Sequence, residues 1–135
     1  LDTFLRLLPT NPANPPSRSW QEPFSVTNTY RGPEAGRSAG RAMFSWRTGT
    51  AGWLLRTAVE GILGVRAELA GLRVDGSLPG AWDRAELVRR FRGRRVSIRF
   101  ERTGRASLAV DGAEIRGPVI PAGRLADGSQ VVCTF

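Results

Sequence analysis

Arg95-Val96-Ser97-Ile98-Arg99-Phe100-Glu101 alternates apolar and polar side chains. Successive side chains on a strand point to opposite sides, so this spacing predicts a strand with one buried and one solvated face. The pattern continues outward in both directions. Leu72-Arg73-Val74 and the run from Leu87 to Arg92 precede it, and Ala106, Leu108 and Val110 follow. Asp111-Gly112, before Ala113-Glu114-Ile115, is a strong tight-turn signal. Residues 65–135 are therefore expected to form antiparallel strands packed as a small β-sandwich.

Upstream of Gly64 the spacing changes. From about Thr50, the residues Ala51, Trp53, Leu54, Leu55, Ala58, Val59, Ile62 and Leu63 cover most of a helix circumference. Such a helix is expected to be buried nearly all round, with Gly64 as the left-handed residue that ends it. Residues 9–47 read as loop, because Pro9, Pro12, Pro15, Pro16, Pro23 and Pro33 interrupt any helix. Trp20, Phe24, Tyr30, Phe44 and Trp46 interleave that loop. They argue against simple disorder and are expected to anchor it to a helical core rather than stack on sugar. The opening Leu1 to Leu8, apolar at Leu1, Phe4, Leu5 and Leu8, reads as the end of an amphipathic helix. On this pattern the chain is expected to begin within a larger helical body.

The chain of 135 residues carries a net charge of +8, and all 20 of its basic residues are arginine. The arginines are scattered through helix, loop and strand, which argues for compositional bias over a single phosphate-binding face, so nucleic acid is not the expected partner. The densest cluster, Arg89, Arg90, Arg92, Arg94 and Arg95, is read as a solvated strand edge, with an acidic-partner patch as the rival. Asp75, Asp83 and Glu86 are given structural roles. A single cysteine, Cys133, excludes an internal disulfide and a multi-cysteine metal site, and Val131, Val132 and Phe135 around it suggest a core thiol in a final strand. No apolar run is long enough for a membrane span and no leader opens the sequence, so a cytoplasmic protein without membrane contact is expected.

The stretch richest in chemistry is Ser45-Trp46-Arg47-Thr48-Gly49-Thr50-Ala51-Gly52-Trp53. It places hydroxyls and free backbone N–H groups at a helix entrance, where the helix dipole favours an anion such as phosphate. The plainer reading is an N-cap supplied by Thr50 or Thr48.

Around that run the sequence resembles the C-terminal part of the inverting phosphorylases of glycoside hydrolase family 94, the cellobiose and chitobiose phosphorylase group. The resemblance is carried by Glu22-Pro23-Phe24, Gly36-Arg37-Ser38, Ser45-Trp46 through Trp53, Glu60-Gly61-Ile62-Leu63-Gly64-Val65, Gly71-Leu72-Arg73-Val74-Asp75, Leu78-Pro79 with Trp82, and Arg90-Phe91-Arg92-Gly93. Val26-Thr27-Asn28-Thr29-Tyr30-Arg31-Gly32-Pro33 with Ala39-Gly40-Arg41 is most similar to the cellobionic acid subgroup. The resemblance implies an α+β piece of a larger enzyme. Residues 1–64 would be the end of an (α/α)6-barrel catalytic domain with its phosphate-side loop, and residues 65–135 a C-terminal β-sandwich.

It further implies that Thr48 and Gly49 contact phosphate, the co-substrate, with no other cofactor and no metal. The substrate would be a β-linked glucosyl disaccharide, cleaved to an α-sugar 1-phosphate. The family's general acid is an upstream aspartate and a further phosphate contact is an upstream histidine, whereas this chain holds no histidine. No catalytic residue is therefore expected here, and the chain by itself is expected to be inactive. The family's members pair as homodimers. A carbohydrate-binding or interaction module without catalysis remains the alternative reading.

Overall fold

The computed structural model describes every residue except Pro23 and Thr48. It divides into two compact units, Leu1–Arg56 and Thr57–Phe135.

The second unit is built of strands. β3 (Val65–Ala67), β4 (Gly71–Val74) and β9 (Val119–Pro121) form one antiparallel sheet in the order β3-β4-β9. The other sheet has the order β5-β6-β10-β7-β8, from β5 (Arg84–Phe91), β6 (Arg94–Glu101), β7 (Ser107–Val110), β8 (Ala113–Glu114) and β10 (Ser129–Thr134). Val65, Leu72, Val74 and Ile120 from the first sheet share a single core with Phe91, Val96, Ile98, Phe100, Leu108, Val110, Val131 and Cys133 from the second. This two-layer arrangement is compatible with the expected sandwich. Val96, Ile98 and Phe100 are buried on β6 while Arg95 and Arg99 are exposed, as the alternation requires. Each such fully buried side chain contributes roughly 1.5–3 kcal/mol.

Two turns follow directly from the sequence. Asp111 and Gly112 both have positive φ (48° and 81°) in the two-residue loop between β7 and β8, and Arg92 and Gly93 (49° and 82°) repeat the geometry between β5 and β6. That is the twist-matched hairpin turn. Cys133 is buried in β10, and burial pushes its thiol above the usual range.

One pairing departs from the all-antiparallel expectation. β10 runs parallel to β6, Ser129 opposite Val96 and Thr134 opposite Glu101. A tight hairpin forces antiparallel pairing only between consecutive strands, and here β7, β8 and β9 intervene, so the chain can return to lie parallel.

The arginine cluster does more than line the expected solvated edge. Arg89 Nη1 donates to Val65 O (3.3 Å), Arg92 Nη2 to Glu68 O and Leu69 O (3.3 and 2.7 Å), and Arg94 Nη1 to Ala122 O and Leu125 O (2.8 and 2.6 Å). These three guanidinium groups fasten the β5–β6 hairpin to β3, to the β3–β4 turn and to the Ala122–Arg124 turn. Arg90, Arg92, Arg94 and Arg95 are all exposed on the hairpin that includes the edge strand β5, as the solvated-edge reading expects, and Arg89 is half-buried.

The first unit is mostly irregular, with short helices α1 (Asp2–Leu7), α2 (Pro16–Ser19) and α3 (Thr50–Arg56), a 3-10 segment at Pro33–Ser38, and the two-residue strands β1 (Thr29–Tyr30) and β2 (Ala42–Met43). The expected barrel helices are not visible among the described residues. Nor is α3 buried all round. Trp53 and Leu55 are 65% and 67% exposed, because a wide apolar circumference specifies burial only where neighbouring helices cover it. The chain continues as a π-helical turn, Thr57–Ile62, in the second unit, where Val59 and Leu63 pack on the sheet core. Gly64 has φ +68° and its Cβ position lies 2.1 Å from Asp75 O, so the left-handed, side-chain-free role expected of it is met. No described helix is long and apolar enough to cross a membrane.

A Cβ on Gly71 would lie 1.9 Å from the Ile120 carbonyl oxygen, whereas Gly123 opens onto free space. Gly71→Ala is expected to lower stability by about 1–3 kcal/mol or more by prising β4 from β9, with Gly123→Ala close to neutral. Thermal melting of the two variants checks this. Residues 57–135 alone are expected to melt cooperatively, and residues 1–56 alone to show no cooperative transition by circular dichroism or calorimetry.

Candidate functional site

The entrance of α3 is set by Gly49. Its carbonyl accepts the Trp53 N–H at 3.2 Å, the first helical bond, so Gly49 holds the cap position and Thr50 is the first helical residue. Gly49 is exposed and has no atom within 4 Å of where a Cβ would stand. N–H groups that open a helix lack intrahelical acceptors, which is the general ground for expecting an anion at this entrance. Thr48, the other residue assigned to phosphate, lies outside the described residues.

The loop leading to this entrance is held by polar groups. Among the described residues of the first unit, Ser19, Gln21, Ser25 and Thr27 are the buried ones, and all are polar. Thr27 Oγ1 accepts the Met43 N–H at 3.0 Å and is within donating distance of Met43 O (2.5 Å) and Thr29 O (3.0 Å), closing the β1–β2 pair. Gln21 Nε2 donates to Ser25 O (3.1 Å), and its Oε1 accepts the Tyr30 hydroxyl at 2.8 Å. Burial raises the Tyr30 pKa, so the phenol keeps its proton and remains a donor throughout the neutral range.

Of the five aromatic side chains expected to anchor the loop, Tyr30 is half-buried and bonded within it, whereas the other four are exposed. Trp20, Phe24, Phe44 and Trp46 are 56%, 94%, 62% and 73% exposed. Trp20, Phe24 and Phe44 also hold left-handed backbone (φ 56°, 64° and 57°), which costs each of them roughly 1–2 kcal/mol. With polar groups bonding the backbone inward, the rings face outward. Arg41 lies over the Trp20 ring at 3.6 Å, and the Trp46 indole N–H donates to the Glu22 carboxylate. Glu22 is the residue that sequence reasoning left without a role. It stood in the quoted Glu22-Pro23-Phe24 run, but nothing local indicated that it would meet Trp46, which lies 24 positions further on.

Among the described residues, no three His, Cys, Asp or Glu side chains converge to hold a metal. Asp75 and Glu86 keep company with arginines, Asp75 with Arg73 at 3.9 Å and Glu86 with Arg99 at 3.4 Å. Glu68 hydrogen-bonds Arg73 and raises the guanidinium pKa further.

No family model matches the chain. It is 36% identical over 125 residues to solabiose phosphorylase of Paenibacillus borealis, covering 89% of this chain and 16% of that protein. It is 35% identical over 124 residues to 3-O-beta-D-glucopyranosyl-beta-D-glucuronide phosphorylase of the same organism, covering 88% and 16%. Cellobionic acid phosphorylase of Neurospora crassa is 32% identical over 109 residues, covering 79% and 13%. Relatives at 32–36% identity over roughly 80–90% of this chain are thus disaccharide phosphorylases. The chain spans about one-sixth of the length of these relatives or slightly less. The cellobionic acid relative is no more similar than the other two, so the phosphorylase similarity stands without a subgroup.

Thr27→Val keeps the shape and removes both bonds to Met43. It is expected to cost about 1–3 kcal/mol, since a half-buried N–H and carbonyl lose their partner. Faster hydrogen exchange at the Met43 amide, with the second unit's amides unchanged, checks this.

Proposed function

We propose that this chain is the C-terminal part of an inverting glycoside phosphorylase of the glycoside hydrolase family 94 type. The observation that carries the reading is the similarity to disaccharide phosphorylases over most of the chain, including the run that ends in the exposed Gly49 entrance. In the proposal Thr48 and Gly49 hold the attacking phosphate at the start of α3. An aspartic acid outside this chain protonates the leaving sugar oxygen, and the product is an α-sugar 1-phosphate.

Phosphate is already an anionic nucleophile, so the site needs donors to position it and no carboxylate base, unlike an inverting hydrolase that must activate water. Trp46, oriented by Glu22, and the exposed faces of Phe24 and Phe44 offer apolar surface for a sugar ring. The substrate in this reading is a β-linked glucosyl disaccharide, cellobionic acid or cellobiose. The barrel helices that would cover α3 belong to the rest of the enzyme. A homodimer in the cytoplasm completes the proposal.

By itself the chain is expected to release no sugar 1-phosphate from cellobiose, cellobionic acid or chitobiose; turnover by the pure chain would overturn the assignment of the acid elsewhere. In the complete enzyme, Thr48→Val is expected to raise the phosphate KM roughly ten- to hundredfold, the loss of a hydrogen bond to a charged group. An unchanged phosphate KM with a lowered melting temperature would reduce Thr48 to a structural residue and remove the phosphate contact from the proposal.

A further inference from the structure

β5 ends the five-stranded sheet and leaves one long side unpaired. It spans eight residues and pairs with β6 in unbroken register, while the other edge strands β3, β8 and β9 have two or three residues each.

The register fixes which backbone groups point outward. Arg102 N donates to Asp83 O at 2.9 Å, and the β5–β6 register sets these two residues opposite each other. Bonded and unbonded pairs alternate along an antiparallel ladder. Ala85, Leu87, Arg89 and Phe91 therefore bond to β6, and Arg84, Glu86, Val88 and Arg90 direct their N–H and C=O groups to the open side. The Arg95 carbonyl, opposite Arg90, accepts the Gly128 N–H on the far side of β6, as the alternation requires. The side chains of the same four β5 residues are exposed, Val88 by 53%.

Proline or a bulge would block such an edge, and β5 has neither. Charged side chains also guard edges, but a guard needs no particular order, and here the order is self-complementary. Glu86 and Arg90 stand symmetrically about Val88. When a second β5 lies antiparallel with Val88 against Val88, Glu86 of each copy faces Arg90 of the other. Outward backbone groups then meet outward backbone groups at all three positions. A one-residue slip would set them against groups already bonded to β6. Larger slips set like charges together, oppose Val88 to a charge, or run past the end of the strand.

Arg90 gains most from this pairing. Its neighbour on β6 is Arg95, a like charge directly opposite, and no carboxylate lies within ion-pair reach of it among the described residues. Glu86 meets Arg99 at 3.4 Å through one oxygen while its side chain stays 70% exposed, so it can serve a second guanidinium. An all-acidic strand would suit Arg84 and Arg90 but repel Glu86, which makes a second copy the better fit.

We infer that β5 is a self-association surface: two copies of this chain pair antiparallel through it, centred on Val88 and joined by reciprocal Glu86–Arg90 ion pairs. The contact is isologous and closes on itself, extending the sheet across both copies. The inference rests on β5 alone and does not draw on the phosphorylase reading.

The test combines sedimentation with amide hydrogen exchange by nuclear magnetic resonance, on the whole 135-residue chain over a range of concentrations. The expected result is a monomer–dimer equilibrium in which the Glu86, Val88 and Arg90 amides slow as concentration rises. The Leu87 and Arg89 amides, bonded to β6 in the single chain, are slow throughout. Glu86→Arg and Arg90→Glu each turn both ion pairs into like-charge contacts and are expected to weaken association about tenfold. Mixed in equal amounts, the two variants restore both pairs and are expected to associate at least as tightly as the unaltered chain.

Slow exchange at Leu87 and Ile98 reports that each variant is folded; if neither folds, exchange in the unaltered chain decides. Four results would overturn the inference: a monomer at every concentration, a dimer with Glu86, Val88 and Arg90 unprotected, the same amides already protected in the dilute monomer by another segment of the chain, or a mixture that associates no more tightly than either variant alone. None of these results bears on the proposed phosphorylase or on a homodimer formed through another surface.

Discussion

Burial of the inward face of β6 is the constraint on which the second unit depends. Val96, Ile98 and Phe100 are at most 2% exposed, and their strand pairs with β5 on one side and β10 on the other. Slipping β6 by one residue would exchange these three for Arg95, Ser97 and Arg99, placing guanidinium groups in the core. The register is therefore fixed by the cost of burying charge. Every other strand of the sheet is positioned against that register, and Gly76 is required nearby because a Cβ there would lie 2.6 Å from the Phe100 ring.

Arginine serves this unit as a fastener. Besides Arg89, Arg92 and Arg94, Arg102 Nη2 donates to Leu78 O and Pro79 O at 2.9 and 3.1 Å, drawing the 78–82 loop against the end of β6. A guanidinium can serve two carbonyls at once through its planar fork while its charge stays at the solvent edge, which a lysine ammonium does less well. These four arginines thus satisfy loop carbonyls that would otherwise lack partners.

The first unit follows a different rule. Its buried residues, among those described, are polar, many of its large apolar residues are exposed, and three aromatic positions bear left-handed strain. Hydrogen bonds from Ser19, Gln21, Ser25 and Thr27 fix the loop, and apolar burial adds little. Strain of this kind persists where surrounding bonds over-determine the backbone, and it commonly accompanies binding surfaces. Its position beside the α3 entrance, with Glu22 drawn onto Trp46, agrees with a loop shaped to present groups to a ligand.

The sequence by itself determined what depends on near neighbours. The alternation at Val96 to Phe100, the Asp111-Gly112 turn, the left-handed Gly64, the core position of Cys133 and the helix beginning at Thr50 are all set by backbone geometry and burial within a few residues. Only the tertiary structure decided the parallel alignment of β10 with β6, the attachment of three arginines to distant carbonyls and the Glu22–Trp46 bond. Each joins residues far apart in the chain or in separate elements. Local periodicity says which face of a segment is apolar, but it carries no information about which other segment will meet that face. The expected all-round burial of α3 failed for that reason: the apolar residues were read correctly, while burial depends on a partner that the pattern cannot supply.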